Sequence, residues 1–264
     1  MRVVKVPFYH VDAFTSRLFA GNPAGVCPLE DWLDAARMQA IAAENNLPET
    51  AFFVRTGDCY GLRWFTPAVE VDLCGHATLA SAFVIFEHLD RSAREVRFET
   101  ASGPLVVRRE GDLLIMDFPA RPPERVGDAE AVGRALGRAP LELWAARDYL
   151  AVYGSAGDVR SLSPDMAATA ALDRFAVIVT APGDGDVDFV SRFFAPAQGL
   201  PEDPVTGSAH CTLTPYWAAR LGKTRLHALQ VSPRGGELWC ELKGDRVLIS
   251  GRAVQYLEGA IEIQ

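Results

Sequence analysis

The chain repeats itself once, and that repeat limits what it can fold into. Arg63-Trp64-Phe65-Thr66-Pro67-Ala68 returns as Arg192-Phe193-Phe194-Ala195-Pro196-Ala197, an offset of 129 residues. Glu70-Val71-Asp72-Leu73-Cys74-Gly75-His76-Ala77 returns as Glu202-Asp203-Pro204-Val205-Thr206-Gly207-Ser208-Ala209, an offset of 132. Leu33 to Met38 answers Leu162 to Met166, and the turn Glu110-Gly111-Asp112 answers Lys243-Gly244-Asp245. Two copies exclude a solenoid, which stacks three or more units. They divide the 264 residues into two domains of ordinary size. The expected division is 1–119 and 120–264, joined at Pro119-Ala120-Arg121-Pro122-Pro123-Glu124, with the last strand free to cross over to the N-terminal domain. A residue present in only one copy breaks the symmetry, and Glu49 is such a residue.

The local patterns predict strand-rich halves. Val3 to Phe14 alternates as an opening strand, and Gly21-Asn22-Pro23-Ala24-Gly25 is dense in turn signals, so a loop is expected there. Leu33 to Glu44 carries a helical stripe that Asn45-Asn46-Leu47-Pro48 stops. Strands are expected at Thr50–Arg55, Gly61–Thr66, Val96–Phe98, Leu105–Arg109 and Leu113–Phe118. Gly75 to Leu89 is apolar nearly all round, the mark of a buried helix. In the second half a short helix is expected at Asp128–Leu136 and a strand at Asp148–Tyr153. A helix at Pro164–Ala171 and strands at Phe175–Thr180 and Phe189–Phe194 then retrace the order of the first half. The second apolar helix, Gly207–Leu221, follows, and strands at Val231, Glu237–Leu242, Arg246–Gly251 and Ala260–Ile263 close the chain. The economical architecture is α+β: two similar domains, each a curved, barrel-like, mostly antiparallel sheet around a central apolar helix.

Composition excludes several classes. A formal charge of −8 disfavours nucleic acid, whose phosphates need a basic face. No run of eighteen apolar residues offers a membrane span, and the N-terminus lacks the apolar core of a signal peptide. The five cysteines form no C-x-x-C pair, so a reduced, cytoplasmic setting is the simplest expectation. The five histidines show no metal spacing, and no phosphate-loop, dinucleotide or zinc-protease motif is present, so no metal and no cofactor are expected.

The two apolar helices begin at repeat-equivalent glycines, Gly75 and Gly207. A helix start presents unpaired N–H groups and a partial positive charge, which attract a carboxylate. Glycine there lets a ligand approach the backbone. Either start alone is an ordinary cap; the pair suggests carboxylate binding and stabilisation of developing negative charge. His76 follows one glycine and Asp203 precedes the other by four residues, each within reach of an amino or hydroxyl group. Glu49 stands before an apolar strand, where partial desolvation would raise its pKa toward proton-transfer range.

These residues, taken together, carry a resemblance. Phe8 to Phe14 with Gly21-Asn22-Pro23-Ala24, Asn46-Leu47-Pro48-Glu49, Phe65-Thr66-Pro67 with Gly75-His76, and Glu202 to Ser208 resemble the PhzF phenazine-biosynthesis family, of the diaminopimelate-epimerase-like superfamily. The resemblance spans the chain. It implies a cofactor-independent isomerase, usually a homodimer, with its active site between the halves. The position of Glu49 would carry the proton, and those of Gly75, His76, Asp203, Gly207 and Ser208 would surround a cyclic amino-hydroxy acid.

The superfamily's epimerases use two thiols, one per domain. Cys74 lies at about the first such place, but Thr206 stands at the second, and a hydroxyl is far too weak an acid to replace a thiol. Cys211, about 6 Å further along the helix at 1.5 Å per residue, is a poor substitute. The expected function is therefore a proton-shifting isomerase of a small carboxylic acid, with Glu49, Asp203 and His76 catalytic. Gly75, Gly207, Ser208, Cys74 and Thr206 would bind substrate. The alternatives are an amino-acid epimerase using Cys74 and a non-catalytic binding member of the fold.

Overall fold

The structure, a computed structural model, describes residues 4–263. Val3, expected in the first strand, lies outside the described residues. Two compact units emerge, one of Met1–Asp117 with Ser250–Gln264 and one of Phe118–Ile249.

In the first unit the elements run β1 (Val4–Ala13), β2 (Asn22–Leu29), α1 (Ala35–Asn45), β3 (Glu49–Thr56), β4 (Cys59–Phe65), β5 (Glu70–Val71), α2 (Gly75–Val84), β6 (Glu95–Thr100), β7 (Gly103–Glu110) and β8 (Leu113–Pro119). A π-helical turn, Ile85–Leu89, extends α2. The second unit follows with β9 (Glu124–Arg125), α3 (Glu130–Leu136), β10 (Glu142–Ala145), β11 (Tyr149–Val152), α4 (Ala156–Ser161), α5 (Met166–Ala170), β12 (Val177–Pro182), β13 (Phe189–Phe194), α6 (Gly207–Leu221), β14 (Arg225–Gln230), β15 (Gly236–Lys243) and β16 (Arg246–Gly251). The last strand, β17 (Ala253–Ile263), returns to the first unit and pairs antiparallel with β1 from Val4↔Ile263 to Ala13↔Ala253.

The duplication is visible in the pairing. β1–β2 is antiparallel, β2–β3 parallel, β3–β4 antiparallel, β4–β6 parallel and β6–β7 antiparallel. The second unit repeats this series from β10–β11 through β11–β12, β12–β13 and β13–β14 to β14–β15. Parallel partners need a long crossover, and helices supply it: α1 and α2 in one unit, α4 with α5 and α6 in the other. The fold is α+β, its sheet curved and unclosed.

Several elements differ from expectation. Asn22–Leu29 is a buried strand, although its glycine and prolines signal a loop. Its two edges are paired over offset ranges, Asn22–Val26 with β1 and Ala24–Leu29 with β3. Pro23 therefore falls only in the first ladder and Pro28 only in the second, so each missing N–H meets a single neighbour. β14 ends at Gln230, one residue before the expected Val231, and its alternation buries Leu226, Ala228 and Gln230. β10 and α4 had no expected counterpart. β17 is far longer than its expected tip.

Helices α2 and α6 are buried, which sets a problem for their polar groups. In α2, Thr78 Oγ1 donates to the Cys74 carbonyl at 2.6 Å and Ser81 Oγ to the Ala77 carbonyl at 2.7 Å. Hydroxyls bonded one turn back keep a hydrogen-bond partner in an apolar setting. Pro215 inside α6 deprives the Cys211 carbonyl of its helical donor. The Arg121 N–H supplies a replacement at 2.8 Å.

Gly251 packs against Phe14, which is fully buried at φ 61°. A Cβ on Gly251 would lie 2.4 Å from the Phe14 ring and 3.4 Å from its Cα. The clash is with the ring, which is fully buried and so has little room to turn aside. Gly251→Ala is expected to destabilise the fold by about 1–3 kcal/mol, as overpacking does, read as a lower urea midpoint.

Candidate active site

The repeated Arg–Glu pair is architectural. Arg63 grips Glu70 through Nε–Oε1 at 2.7 Å and Nη2–Oε2 at 2.8 Å. Arg192 grips Glu202 in the same way, at 2.7 and 2.9 Å. Each pair ties the end of a strand (β4 or β13) to the segment that leads into a buried helix. The acids Glu70 and Glu202 are thus occupied in placing the starts of α2 and α6.

Those starts are alike. Cys74 is the N-cap of α2 and Thr206 that of α6, both extended, at φ −143° and −113°, and neither side chain caps its helix. The Thr206 hydroxyl turns away and donates to Asp203 Oδ2 at 2.6 Å. Gln230, buried at the end of β14, braces this turn. Its Oε1 accepts from the Thr206 N–H at 2.8 Å, and its Nε2 donates to the Asp203 carbonyl at 2.8 Å. Ser208 lies 3.5 Å from Arg147 Nη2, whose guanidinium is paired with Asp148 and stacked over Phe175. Neither Gln230 nor Arg147 stood out in the sequence: a glutamine at a strand end and an arginine in a turn carry no local signal.

In the first unit the fold gathers Glu49, Cys74 and His76. α1 ends at Asn46, which takes the left-handed conformation at φ 50° and donates its N–H to the Ala42 carbonyl. The chain reverses there, and Glu49 opens β3 in register with Ala24. His76 Nε2 lies 3.0 Å from Glu49 Oε2. The other ring nitrogen, Nδ1, lies 3.2 Å from Asn22 Nδ2 and 3.5 Å from Cys74 Sγ. Asn22 belongs to the Gly21-Asn22-Pro23-Ala24 motif, yet only the strand conformation of that motif shows why it is there.

Burial works against charge on His76, but the Cys74 sulfur and the Glu49 carboxylate outweigh it and hold the imidazole well above its usual value. Burial, aided by Glu49, pushes the Cys74 thiol up. A carboxylate buttressed by an imidazole can take and return a proton, while a neutral buried thiol is a poor base. Asp203, Thr206, Gly207 and Ser208 form the corresponding turn of the second unit.

Gln230→Ala would remove the hydrogen bonds that Gln230 makes to the Thr206 N–H and the Asp203 carbonyl. A buried N–H left without its acceptor, as that of Thr206 would be, costs about 1–3 kcal/mol. The variant is expected to unfold at lower urea concentration.

Three comparisons place this architecture. The sequence profile described as "Phenazine biosynthesis-like protein" matches residues 11–259. A Pseudomonas aeruginosa protein named an uncharacterized isomerase is 53% identical over 261 residues, which cover 98% of this chain and 100% of that one. The crystal structure of a phenazine biosynthesis protein of the PhzF family from Enterococcus faecalis is 49% identical, with a TM-score of 0.96, over 98% of this chain and 99% of that chain. A hydroxyproline epimerase from Agrobacterium vitis, at 12% identity and a TM-score of 0.62 over 98% of this chain and 93% of that one, shares the fold. From the match of profile, relatives and architecture along almost its whole length, the chain belongs to the phenazine biosynthesis-like family.

Proposed function

We propose that this protein is an isomerase that shifts a proton on a small, possibly cyclic, amino or hydroxy carboxylic acid, with Glu49 as the general acid and base. The observation that carries the reading is the 3.0 Å contact between Glu49 Oε2 and His76 Nε2, which orients a carboxylate that has no counterpart in the second copy. The names of the similar bacterial proteins support the isomerase class. Each unit contributes one helix start whose N–H groups no cap side chain uses, at Gly75 and at Gly207. A start of this kind holds a substrate carboxylate and the charge that develops beside it. Asp203 and Ser208 flank the start at Gly207, where they suit an amino or hydroxyl group, and no cofactor enters the scheme.

One carboxylate suffices because isomerisation removes a proton from one carbon and returns it to another on the same face. A two-thiol epimerase has less support: the Thr206 hydroxyl is committed to Asp203 at 2.6 Å, and burial pushes the Cys211 thiol up to about 11. Small cyclic and acyclic amino and hydroxy acids incubated with the protein in D₂O provide the test, read by NMR. At least one should exchange a carbon-bound proton, and Glu49→Gln should slow that exchange by about 10²–10⁴-fold. Exchange that survives the substitution refutes the role of Glu49.

A further inference from the structure

We propose that Glu49 Oε2, Cys74 Sγ and His76 Nε2 form a binding site for one thiophilic divalent cation of the zinc type, which blocks the carboxylate when bound. One carboxylate oxygen, one sulfur and one imidazole nitrogen lie within 4.8 Å of one another. The Nε2–Oε2 separation is 3.0 Å and the Sγ–Nε2 separation is 4.0 Å. Zinc bonds of about 2.0–2.3 Å in tetrahedral geometry place neighbouring ligand atoms roughly 3.3–3.6 Å apart. The acid–imidazole pair opens by a few tenths of an ångström to admit the ion, while the sulfur, which lies nearer Nδ1 (3.5 Å) than Nε2 (4.0 Å), swings to the Nε2 side by rotation about the Cys74 Cα–Cβ bond.

The surroundings suit a metal as well as the distances do. Cys74 and His76 flank Gly75 at the start of α2 and are both buried, so the helix fixes two donors at once. A metal-bound histidine normally donates its other ring N–H to an oxygen. The Asn22 amide, 3.2 Å from Nδ1, offers its carbonyl when turned over. Thiolate and carboxylate together cancel the charge of a divalent ion, so no net charge is buried. Binding releases the thiol proton to solvent, and the ion takes its place on sulfur. Glu49, 18% exposed, keeps one side of the cluster open to water as a fourth ligand. The sequence could not display this set, because Glu49 arrives from β3 and stands 25 residues before Cys74.

Titration of the purified protein with Co²⁺, which reports its ligands optically, tests the site. The expected result is saturation at one equivalent, with a thiolate-to-cobalt charge-transfer band in the near ultraviolet that Zn²⁺ abolishes by displacement. Cys74→Ser should remove the band, Glu49→Gln should weaken Zn²⁺ binding by about tenfold or more, and Cys59→Ser should keep both. A band that persists in Cys74→Ser, or Zn²⁺ affinity unchanged in both Cys74→Ser and Glu49→Gln variants of native thermal stability, overturns the site. The blocking effect rests on the proposed role of Glu49 and is read separately: a cation that binds as described but leaves D₂O exchange untouched overturns the blockade and that role, while the site stands.

Discussion

Arg192→Ala is expected to cost about 3–5 kcal/mol of stability, the price of stranding one partner of a buried ion pair. Its repeat-equivalent, Arg63→Ala, should cost less than about 1 kcal/mol. The two pairs have the same bidentate geometry but different burial: 10% and 16% exposed for Arg192 and Glu202, against 32% and 40% for Arg63 and Glu70. Arg192 also donates to the Val159 carbonyl at 3.2 Å and the Leu162 carbonyl at 2.8 Å, and its guanidinium lies 4.8 Å from the Phe194 ring centre. Removal leaves a partly buried carboxylate and two carbonyls without their donor. Arg192→Lys should fall between, keeping the charge but losing the two-pronged grip. Urea unfolding with an unchanged m-value measures all three. Equal losses at the two positions would show that burial does not govern the pair.

Acid should weaken the protein through His210. This residue is buried in α6, donates from Nδ1 to the Thr206 carbonyl at 2.9 Å and packs on Phe189, while its Nε2 has no partner. Burial lowers its pKa from 6.5 to about 4. Between those values the unfolded chain binds a proton that the folded chain refuses, so stability rises with pH there. The contribution is complete above about 6.5, is lost as pH falls toward 4, and changes no further below. A displacement of this size corresponds to about 3 kcal/mol. His210→Gln removes the titration. The difference between its stability–pH curve and that of the unaltered protein should therefore slope within this window and be flat outside it.

The duplication could be read directly, because it is a pattern of identities along the chain, and the buried helices followed from apolarity on every face. β2 could not be read, since Pro23 and Pro28 are tolerated only through the offset of its two ladders, a fact about partners. β10 is four residues long, and α4 is six residues with Gly157 near its start, too short for a period to show. Glu49 and His76 were both picked out as chemistry-bearing residues, but their contact joins positions 27 apart and exists only once β3 and α2 are in place. Gln230 and Asn22 are positioning groups, and positioning is a relation that no single residue type announces.

The pairing of β1 with β17 bears on the order of assembly during translation. The second unit is continuous along the chain and has every strand it needs before synthesis reaches Ala253. The first unit begins earlier, yet the outer edge of β1 stays open until its antiparallel neighbour emerges from the ribosome. The half made first is thus the half finished last, and its unpaired edge is the part of the nascent protein most in need of a chaperone.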